Sequence, residues 1–371
     1  MNNHPGTAAS QIREAVFADY PSIASLESRY GLLPKSYEEW THLWTDNPAC
    51  PPGWNIGWVV ENADKNIVGY LGNVPSAFEF QGRKLIAASG RGLVVDEQYR
   101  SYSFPLFSRF FNQSNVDLIV NTTVNLNAVK LHELFHCERA PVGAWNRSVF
   151  WITHNRGFAA KLAKTKNLPL PNLLSYPISA VLAAKDKLRR KPLAPADKGL
   201  EATVATAFDA RFDAFWEELR ERHAGFLLAS RSRATLNWHF KFALESKRAW
   251  VATVSQDNAL LAYAVFLRQD NHEVGLKRVR LVDFRALNDD PDLLAPMLTG
   301  ALRRCHQQEI EMLEVIGASP EIQRVLAGFA PHQRDLPAWL YFYKAKDKQL
   351  AERLKDPGVW NPSPFDGDGA L

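Results

Sequence analysis

Apolar positions in the first 150 residues change between helical spacing and strict alternation. Pro21, in a first turn, and apolar residues three and four positions apart predict helical structure over 14–45, with a second short helix near 36–44. Alternating runs between polar turns predict three antiparallel strands, and a later β-branched run predicts a buried strand. The predicted order is helix, helix, three strands, helix, strand, helix, strand, with the later elements at 56–60, 67–80, 85–95, 104–112, 116–124, 127–135 and within 142–152.

The second half of the chain repeats this order. The helix in SYEEWTHLWTDNP leads to the paired strands of WNIGWVVENADKNIVGYLGNV, and RATLNWHFKF leads in the same way to AWVATVSQDNALLAYAVFL. Identity between the halves is low, so the repeat is one of pattern, and we interpret it as a structural duplication. The elements predicted in the second half lie at 212–222, 234–242, 250–254, 260–268, 277–284, 291–307, 312–316, 320–327 and 339–344.

A stretch rich in proline and lysine separates the two halves. The sequence therefore predicts an N-terminal domain at 1–154, a basic linker with a helix at 155–200, a second domain at 201–350 and a C-terminal tail at 351–371. The composition favours a linker helix that packs across the two lobes. The alternative is that its basic segment at 178–190 makes peripheral contact with an anionic membrane surface.

Composition and charge limit the classes of function. Hydrophobic residues make up 46% and charged residues 23%, which are globular values, and 371 residues exceed one ordinary domain. A net charge of +4 gives no reason to expect nucleic acid, although it suits a phosphate-bearing ligand. The three cysteines are far apart without a CxxC pair, so we expect no disulfide framework and no metal. Because no long apolar segment occurs, we expect a cytoplasmic location.

Two segments of the first half carry a resemblance to a known family. GLVVDEQYRSYSFPLFSRFF resembles the fourth strand and pyrophosphate loop of the GCN5-related N-acetyltransferase (GNAT) superfamily, and VNLNAVKLHELFHCERA resembles its fifth strand and following helix. The loop keeps Arg100, but Ser103 and Pro105 replace its two usual glycines. The resemblance implies an α/β (α+β) fold of two tandem acetyltransferase-like domains, each with a mixed, mostly antiparallel sheet flanked by helices.

The resemblance also implies an acyl-CoA site in the first half. A helix N-terminus offers backbone N–H groups and a positive dipole end to a pyrophosphate. Asn125 matches an asparagine that meets the cofactor in the family, and it equally suits the role of an N-cap for the next helix. The implied cofactor contacts are Leu93, Val94 and Val95 on the strand, Arg100, Ser101, Tyr102, Ser103 and Phe104 in the loop, and Asn125.

Candidate catalytic residues follow from the same alignment. His132 stands where the family usually has the tyrosine that protonates the departing thiolate, and histidine suits this task because its pKa lies near operating pH. The alternative for His132 is a partly exposed helical histidine beside Glu133. Glu79 is the candidate general base, with a solvated strand position as its alternative, and ordered water can replace a base in this family.

The second half has an acidic loop, RALNDDPD, where a pyrophosphate would lie, so we expect no CoA there. Its helix at 234–242 instead offers Trp238, His239 and the preceding Arg233 as one wall of an acceptor site, although Trp238 also fits a core position. The tail WNPSPFDGDG resembles the end of tandem acetyltransferase-like proteins from bacterial surface-polysaccharide loci. Its alternative role is that of a docked tail that ends in a turn.

These residues predict an N-acyltransferase that moves an acyl group from acetyl-CoA or another acyl-CoA to the amine of a small or carbohydrate-linked acceptor. Two alternatives stay open. One is a non-catalytic tandem GNAT-like binding or scaffold protein in surface-polysaccharide biosynthesis. The other is a two-lobed aminoacyltransferase-like enzyme, which needs a large basic surface for tRNA.

Overall fold

The computed structural model describes residues 10–166, 171–189, 201–336 and 339–370. Its helices are α1 (Tyr20–Arg29), α2 (Tyr37–Thr45), α3 (Ser103–Phe111), α4 (Leu126–Leu134), α5 (Asn155–Thr165), α6 (Pro171–Arg189), α7 (Arg211–Arg222), α8 (Arg233–Glu245), α9 (Leu294–Gln307), α10 (Pro320–Ala327) and α11 (Lys348–Arg353). Its strands are β1 (Gln11–Glu14), β2 (Gly57–Glu61), β3 (Ile67–Phe80), β4 (Arg83–Val95), β5 (Leu118–Val124), β6 (Glu138–Arg139), β7 (Arg147–Ile152), β8 (Ala202–Ala205), β9 (Leu228–Ala229), β10 (Ala249–Gln256), β11 (Ala259–Arg268), β12 (Arg278–Ala286), β13 (Met312–Ile316), β14 (His332–Asp335) and β15 (Leu340–Ala345).

The strands form two mixed sheets, and this confirms the predicted fold class. The first sheet has the order β1-β2-β3-β4-β5-β15-β6, with β9 paired to β3, and the second has the order β14-β7-β13-β12-β11-β10-β8. In each sheet one parallel pair, β4 with β5 or β12 with β13, lies among antiparallel neighbours. The pattern did not predict β1, β6, β8, β9 and β14, because two to four residues are too few to show alternation.

Each sheet contains a strand from the other half of the chain. Strand β7, from the first half, lies between β13 and β14 of the second sheet, and β15, from the second half, lies between β5 and β6 of the first. Pattern analysis had assigned both strands to their own half. The predicted boundaries at 154 and 201 therefore separate each exchanged strand from the sheet that it completes.

A second contact between the halves is also reciprocal, because equivalent residues of the two halves bond to one another. Helices α2 and α8 are equivalent in the repeat, and each begins at a serine, Ser36 or Ser232, whose hydroxyl accepts from the amide three residues later. His42 and Trp238, six residues after each cap, bond to one another. The Trp238 indole N–H donates to the His42 carbonyl at 2.8 Å, and the His42 Nε2–H donates to the Trp238 carbonyl at 3.0 Å.

Three apolar cores hold the two sheets and their helices. One lies in the first lobe, against α1, α2 and α3, and one lies in the second lobe, against α9 and α10. The third joins the lobes, and it brings Phe78 of β3 and Leu118 of β5 together with Phe212 and Trp216 of α7 and Tyr263 of β11. Burial of each such side chain stabilises the folded chain by about 1.5–3 kcal/mol. Because this third core contains residues of both lobes, the lobes form one continuous structure.

Among the described residues, no helix is long and apolar enough to cross a membrane. The predicted membrane-contact segment at 178–190 falls mostly on the second half of α6, and its last residue lies outside the described residues. Tyr176 and Val181 on this helix are exposed. Membrane contact through this segment stays a prediction.

We expect that neither half folds alone. A chain cut after residue 195 yields two pieces that each lack an interior strand, and each keeps a strand edge with no partner, which promotes aggregation. Expressed separately, the pieces should be insoluble or aggregated. Co-expressed, they should purify as a 1:1 complex with the circular dichroism spectrum of the intact chain. A monomeric, cooperatively folded piece 1–195 would contradict this prediction.

Candidate functional site

The first lobe has a gap in its sheet between β4 and β5. The two strands pair only where Ala87 and Ala88 meet Leu118 and Ile119, and beyond that point they separate. Strand β4 also carries a bulge, because one β3 residue lies opposite both Gly92 and Leu93. This bulge needs the glycine, which has φ +67°. Within the described part of the chain, one edge of β4 therefore faces the gap without a strand partner from Ser89 to Val95.

A chain of three hydrogen bonds spans the mouth of this gap. The Gly90 amide donates to Asn121 Oδ1 at 2.9 Å, and Asn121 Nδ2 donates to His132 Nε2 at 3.0 Å. His132 Nδ1–H donates to the Ala128 carbonyl at 2.8 Å, so the proton of the neutral ring is on Nδ1. His132 is buried, and burial lowers its pKa. In this arrangement the imidazole orients Asn121, and its Nε2 carries no proton.

The predicted strand contacts lie at the gap. Leu93, Val94 and Val95 form the end of β4 beyond the point where β5 leaves it. Asn125 is the N-cap of α4, and its side chain accepts from the Ala128 amide at 3.1 Å. The capping role that the sequence allowed for Asn125 is therefore present.

The predicted pyrophosphate loop is helical in this structure. Residues 97–102 form a 3₁₀ helix that continues without a break into α3, and the Ser103 amide donates to the Arg100 carbonyl. Asp96 and Glu97 stand at the N-terminus of this continuous helix, and Arg100 is exposed and pairs with Glu97 at 3.2 Å. Of the other predicted loop residues, Ser101 and Phe104 are exposed, while the Tyr102 hydroxyl donates to the Ser10 carbonyl.

The structure does not bring Glu79 to the gap. Glu79 lies opposite Lys84 at the hairpin end of β3, whereas Asn73, six residues away, lies opposite Gly90. Six residues of strand span about 20 Å. Glu79 instead faces Arg220 of the second lobe at 3.4 Å, so its place is in the contact between the lobes.

Titratable groups that sequence analysis missed surround the bulge of β4. Glu27 at the end of α1 is buried, and its Oε1 lies 3.5 Å from Arg91 Nη1 and 2.7 Å from where a Cβ on Gly92 would stand. Burial raises the pKa of Glu27, and burial lowers the pKa of Lys35, in the loop after α1, to about 8. Arg91 Nη1 and the Tyr70 hydroxyl have no hydrogen-bond partner among the described residues. Clusters of this kind are typical of functional sites.

The sequence held a signal for Glu27. Ile23, Leu26 and Glu27 share the buried face of α1, so a carboxylate occupies a position where helical spacing places apolar residues. A charged residue on such a face costs free energy unless it is paired or has a function.

Helix α8 forms the opposite wall of a narrow crevice beside the gap, and His239 faces it. His239 Nε2–H donates to the Ala370 carbonyl at 3.1 Å, and the ring packs 4.7 Å from that of Phe365. The pKa of His239 is lowered to about 4, mainly by burial and in addition by the positive charge of Lys35. The hydroxyls of Ser76 and Ser89 line the same crevice, buried and without a hydrogen-bond partner among the described residues.

The two other candidates from the α8 region lie differently. Trp238 is buried and bonded to His42, which is the core position that the sequence allowed for it. Arg233 is exposed on the first turn of α8, where it pairs with Asp213 at 2.9 Å. The crevice therefore receives His239 from this helix, and Trp238 holds the helix in place behind it.

The C-terminal tail forms one side of the crevice, which it lines with Phe365, Asp366 and Gly367. Asp368 accepts from the Thr122 amide at 2.9 Å and from the Thr122 hydroxyl at 2.8 Å, and it also bonds to Thr123 on β5. Gly367 packs so tightly on Thr122 that a Cβ there would lie 2.8 Å from a Thr122 carbon. The tail is thus docked, and its end lies beside the gap.

A buried ionic cluster fixes the tail to the second lobe. The fully buried Arg231 pairs with Asp283 of β12 at 3.0 Å and with Asp366 of the tail at 2.6 Å. Burial alone would raise the pKa of Asp283, but the charges of Arg231 and Arg285 outweigh burial and hold this pKa at about 2. Tyr263 and Ser363 donate to the same carboxylate, so both of its oxygens are bonded.

Removal of Arg231 should destabilise the whole chain. Arg231→Met leaves Asp283 and Asp366 buried without their partner, so we expect a loss of about 3–5 kcal/mol in the free energy of unfolding. Urea denaturation measures it, and proteolysis within residues 357–370 should accelerate. Arg233→Met is the control, because loss of its exposed pair with Asp213 should cost under about 1 kcal/mol. Equal effects of the two substitutions would refute the assigned role of the cluster.

Among the described residues, no group of three or more His, Cys, Asp or Glu side chains is arranged to hold a metal ion.

Comparison with known proteins shows the fold. No protein-family model matches the sequence, and no curated protein matches it. The chain is similar in structure to the Saccharomyces cerevisiae N-myristoyltransferase with bound myristoyl-CoA and inhibitors, with a TM-score of 0.58, 12% identity, and coverage of 93% of this chain and 83% of that one. It is also similar to a GCN5-related N-acetyltransferase from Anabaena variabilis, with a TM-score of 0.51 at 10% identity, covering 91% of this chain and 73% of that one. A third similar structure is the GCN5-related N-acetyltransferase from Kribbella flavida, with a TM-score of 0.53 at 9% identity. The match covers 91% of this chain and 71% of that one. These likenesses cover both lobes, so the chain has the two-domain GNAT fold.

Proposed function

We propose that this chain, which has the two-domain GNAT fold, is an N-acyltransferase that uses an acyl-CoA donor and acts on the amine of a small or carbohydrate-linked acceptor. The observation that carries the proposal is the gap between β4 and β5, with its bulge at Gly92 and a buried carboxylate beside the bulge. Similar structures include an N-myristoyltransferase that holds myristoyl-CoA, which supports an acyl-CoA as the donor.

In this proposal the donor lies along the unpaired edge of β4. An extended chain with amide groups can bond to such an edge as a strand would. The thioester then lies at the bulge, where a backbone amide that turns away from the ladder can donate to the carbonyl oxygen as negative charge develops on it. Asn121, held by His132, keeps β4 and β5 at their spacing at the mouth of the gap.

Glu27 is the proposed general base. The acceptor nitrogen attacks the thioester carbon, loses one proton to the Glu27 carboxylate, and the C–S bond breaks to release a thiolate. That thiolate takes up one proton, so the protons balance over the reaction. Burial raises the pKa of Glu27 toward working pH, and this makes it a stronger base than an exposed carboxylate.

Role assignments for the two histidines follow from their tautomers. His132 is a positioning residue in this scheme, because its proton is on Nδ1 and is held by the Ala128 carbonyl. His239 keeps its proton on Nε2 and leaves Nδ1 as an acceptor on the side of the ring away from Ala370. Together with the unpartnered Ser76 and Ser89 hydroxyls, it offers hydrogen bonds in a crevice of about 30 Å³, which has room for a single hydroxyl group or water molecule of an acceptor complex.

A second candidate function is that of a non-catalytic binding protein, and one observation favours it. Residues 97–102 form a 3₁₀ helix, and the carboxylates of Asp96 and Glu97 stand at its N-terminus, where they compete with a pyrophosphate for the cations Arg29 and Arg100. Arg100, the cation of this segment, already pairs with Glu97 at 3.2 Å and must leave it to meet the phosphates. A measurement of donor binding separates the two functions.

The first prediction concerns donor binding. Acetyl-CoA, longer acyl-CoAs or free CoA should raise the melting temperature, since a ligand at 100 times its Kd stabilises by about 2.7 kcal/mol. Arg100→Ala should weaken this binding, with Arg109→Ala on the exposed side of α3 as the matched control. No shift with any thioester at millimolar concentration would leave the non-catalytic function as the better account.

The second prediction concerns the base. Glu27→Gln should lower kcat about 10²–10⁴-fold with little change in donor binding, because general-base catalysis is worth about that much. The wild-type rate should fall as pH falls through the raised Glu27 pKa, since protonation removes the base, and the variant should lose this limb. The readout is release of CoA thiol with an amine acceptor, and the exposed Glu38→Gln is the control. An unchanged kcat in folded Glu27→Gln would exclude this role.

A further inference from the structure

The second lobe contains a cavity that the proposed reaction does not use. It has a volume of about 370 Å³, within the range of about 300–1,000 Å³ for small-molecule sites, and lies between the separating ends of β12 and β13. Strand β12 continues from Val282 to Ala286 beyond its last partner on β13. In the described part of the chain, no strand covers that edge.

This cavity is the counterpart of the first-lobe gap. Strand β12 carries a bulge at Val282, where it pairs with β11, as β4 carries one where it pairs with β3. When the two bulges are aligned by register, Asp283, Phe284 and Arg285 correspond to Leu93, Val94 and Val95. In the first lobe Asn121 bridges the mouth of the gap and the tail docks beside it, whereas the cavity of the second lobe is open.

The walls of the cavity are suited to an aliphatic chain. Leu281, Phe284, Val315, Ile316 and Ile322 contribute apolar surface on several sides. Removal of apolar surface from water is favourable, so a chain of a few carbons gains free energy there.

The polar groups of the lining specify what the chain must carry. Arg285 is 5% exposed, and its Nε has no hydrogen-bond partner among the described residues, which leaves a buried donor unsatisfied. A carbonyl oxygen would satisfy it. The uncovered edge of β12 adds backbone groups that match an amide. The buried Arg231 and Arg285 balance the charges of Asp283 and Asp366, and Glu321 pairs with Arg324. Asp289 adds a negative charge at the exposed rim, so the lining gives a negatively charged ligand no net attraction.

We propose that this second-lobe cavity binds an uncharged acyl amide, with its aliphatic chain against the apolar walls and its carbonyl at Arg285. The site favours the amide over CoA and free carboxylic acids, because the buried ionic cluster is already balanced in charge and Asp289 adds a negative charge at the rim. Binding here is independent of the proposed acyl transfer in the first lobe, since it needs neither donor nor Glu27.

The test compares two probes that differ in charge and hardly in size. Hexanamide and hexanoate are titrated into the full chain, without acyl-CoA, and followed by saturation-transfer difference NMR. Hexanamide should bind at least about tenfold more tightly than hexanoate, a difference of about 1.4 kcal/mol. Free CoA should not displace it. Equal affinity for the two probes, or displacement of hexanamide by CoA, would overturn the proposal.

Two variants locate the site. Ile322→Phe enlarges a side chain at the partly open side of the cavity and should weaken hexanamide binding about tenfold or more. Leu162→Phe, at an exposed position of α5, is the matched control and should leave binding unchanged. Arg285→Lys removes the Nε donor but keeps the positive charge, and it should also weaken the binding of hexanamide. If folded Ile322→Phe binds hexanamide as tightly as the original chain, the cavity is not its site.

Discussion

The exchange of β7 and β15 between the lobes is the constraint on which the rest of the structure depends. Each exchanged strand lies in the interior of the sheet that it joins, so neither sheet has its complete set of neighbours until both halves are present. The reciprocal bonds of His42 and Trp238, and the core that joins the lobes, act along the same interface. The gap of the first lobe and the crevice beside it are therefore set by a rigid contact, which is what a site needs to hold its groups at fixed spacing.

The two lobes show how one framework accommodates two kinds of site. In the first lobe the residue at the mouth of the gap is Asn121, and its neighbours Gly90 and His132 are uncharged. Its counterpart in the second lobe, by register of the parallel strands, is Glu314, which is surrounded by Arg278, Arg280 and Arg334. The first lobe has an amide bridge where the second has an ionic one, and the loop after β12 is acidic. The backbone geometry was retained while the chemistry that it presents changed.

Element order, the duplication and the strand that carries Leu93, Val94 and Val95 were within reach of the sequence, since long periodic segments such as β3 and α9 carry strong patterns. The strand exchange was not, because periodicity shows that a strand exists and not which sheet receives it. Glu79 was chosen on nearness in sequence, and its distance from the gap follows from the antiparallel hairpin that carries it away. Glu27 was missed because its role depends on the α1 face that packs over the bulge, a contact made only in three dimensions. The closed form of residues 97–102 likewise depends on local hydrogen bonds that motif spacing does not reveal.

The exchanged strands also bear on how such a chain changes over evolutionary time. A duplicated domain with its own complete sheet can be lost once it has no task, and the remaining copy still folds. Here deletion of either half removes an interior strand from the other, so the duplication cannot be reversed by a single loss. The second lobe is retained whatever ligand it binds, and its cleft is free to diverge toward a new one while the first lobe keeps its own.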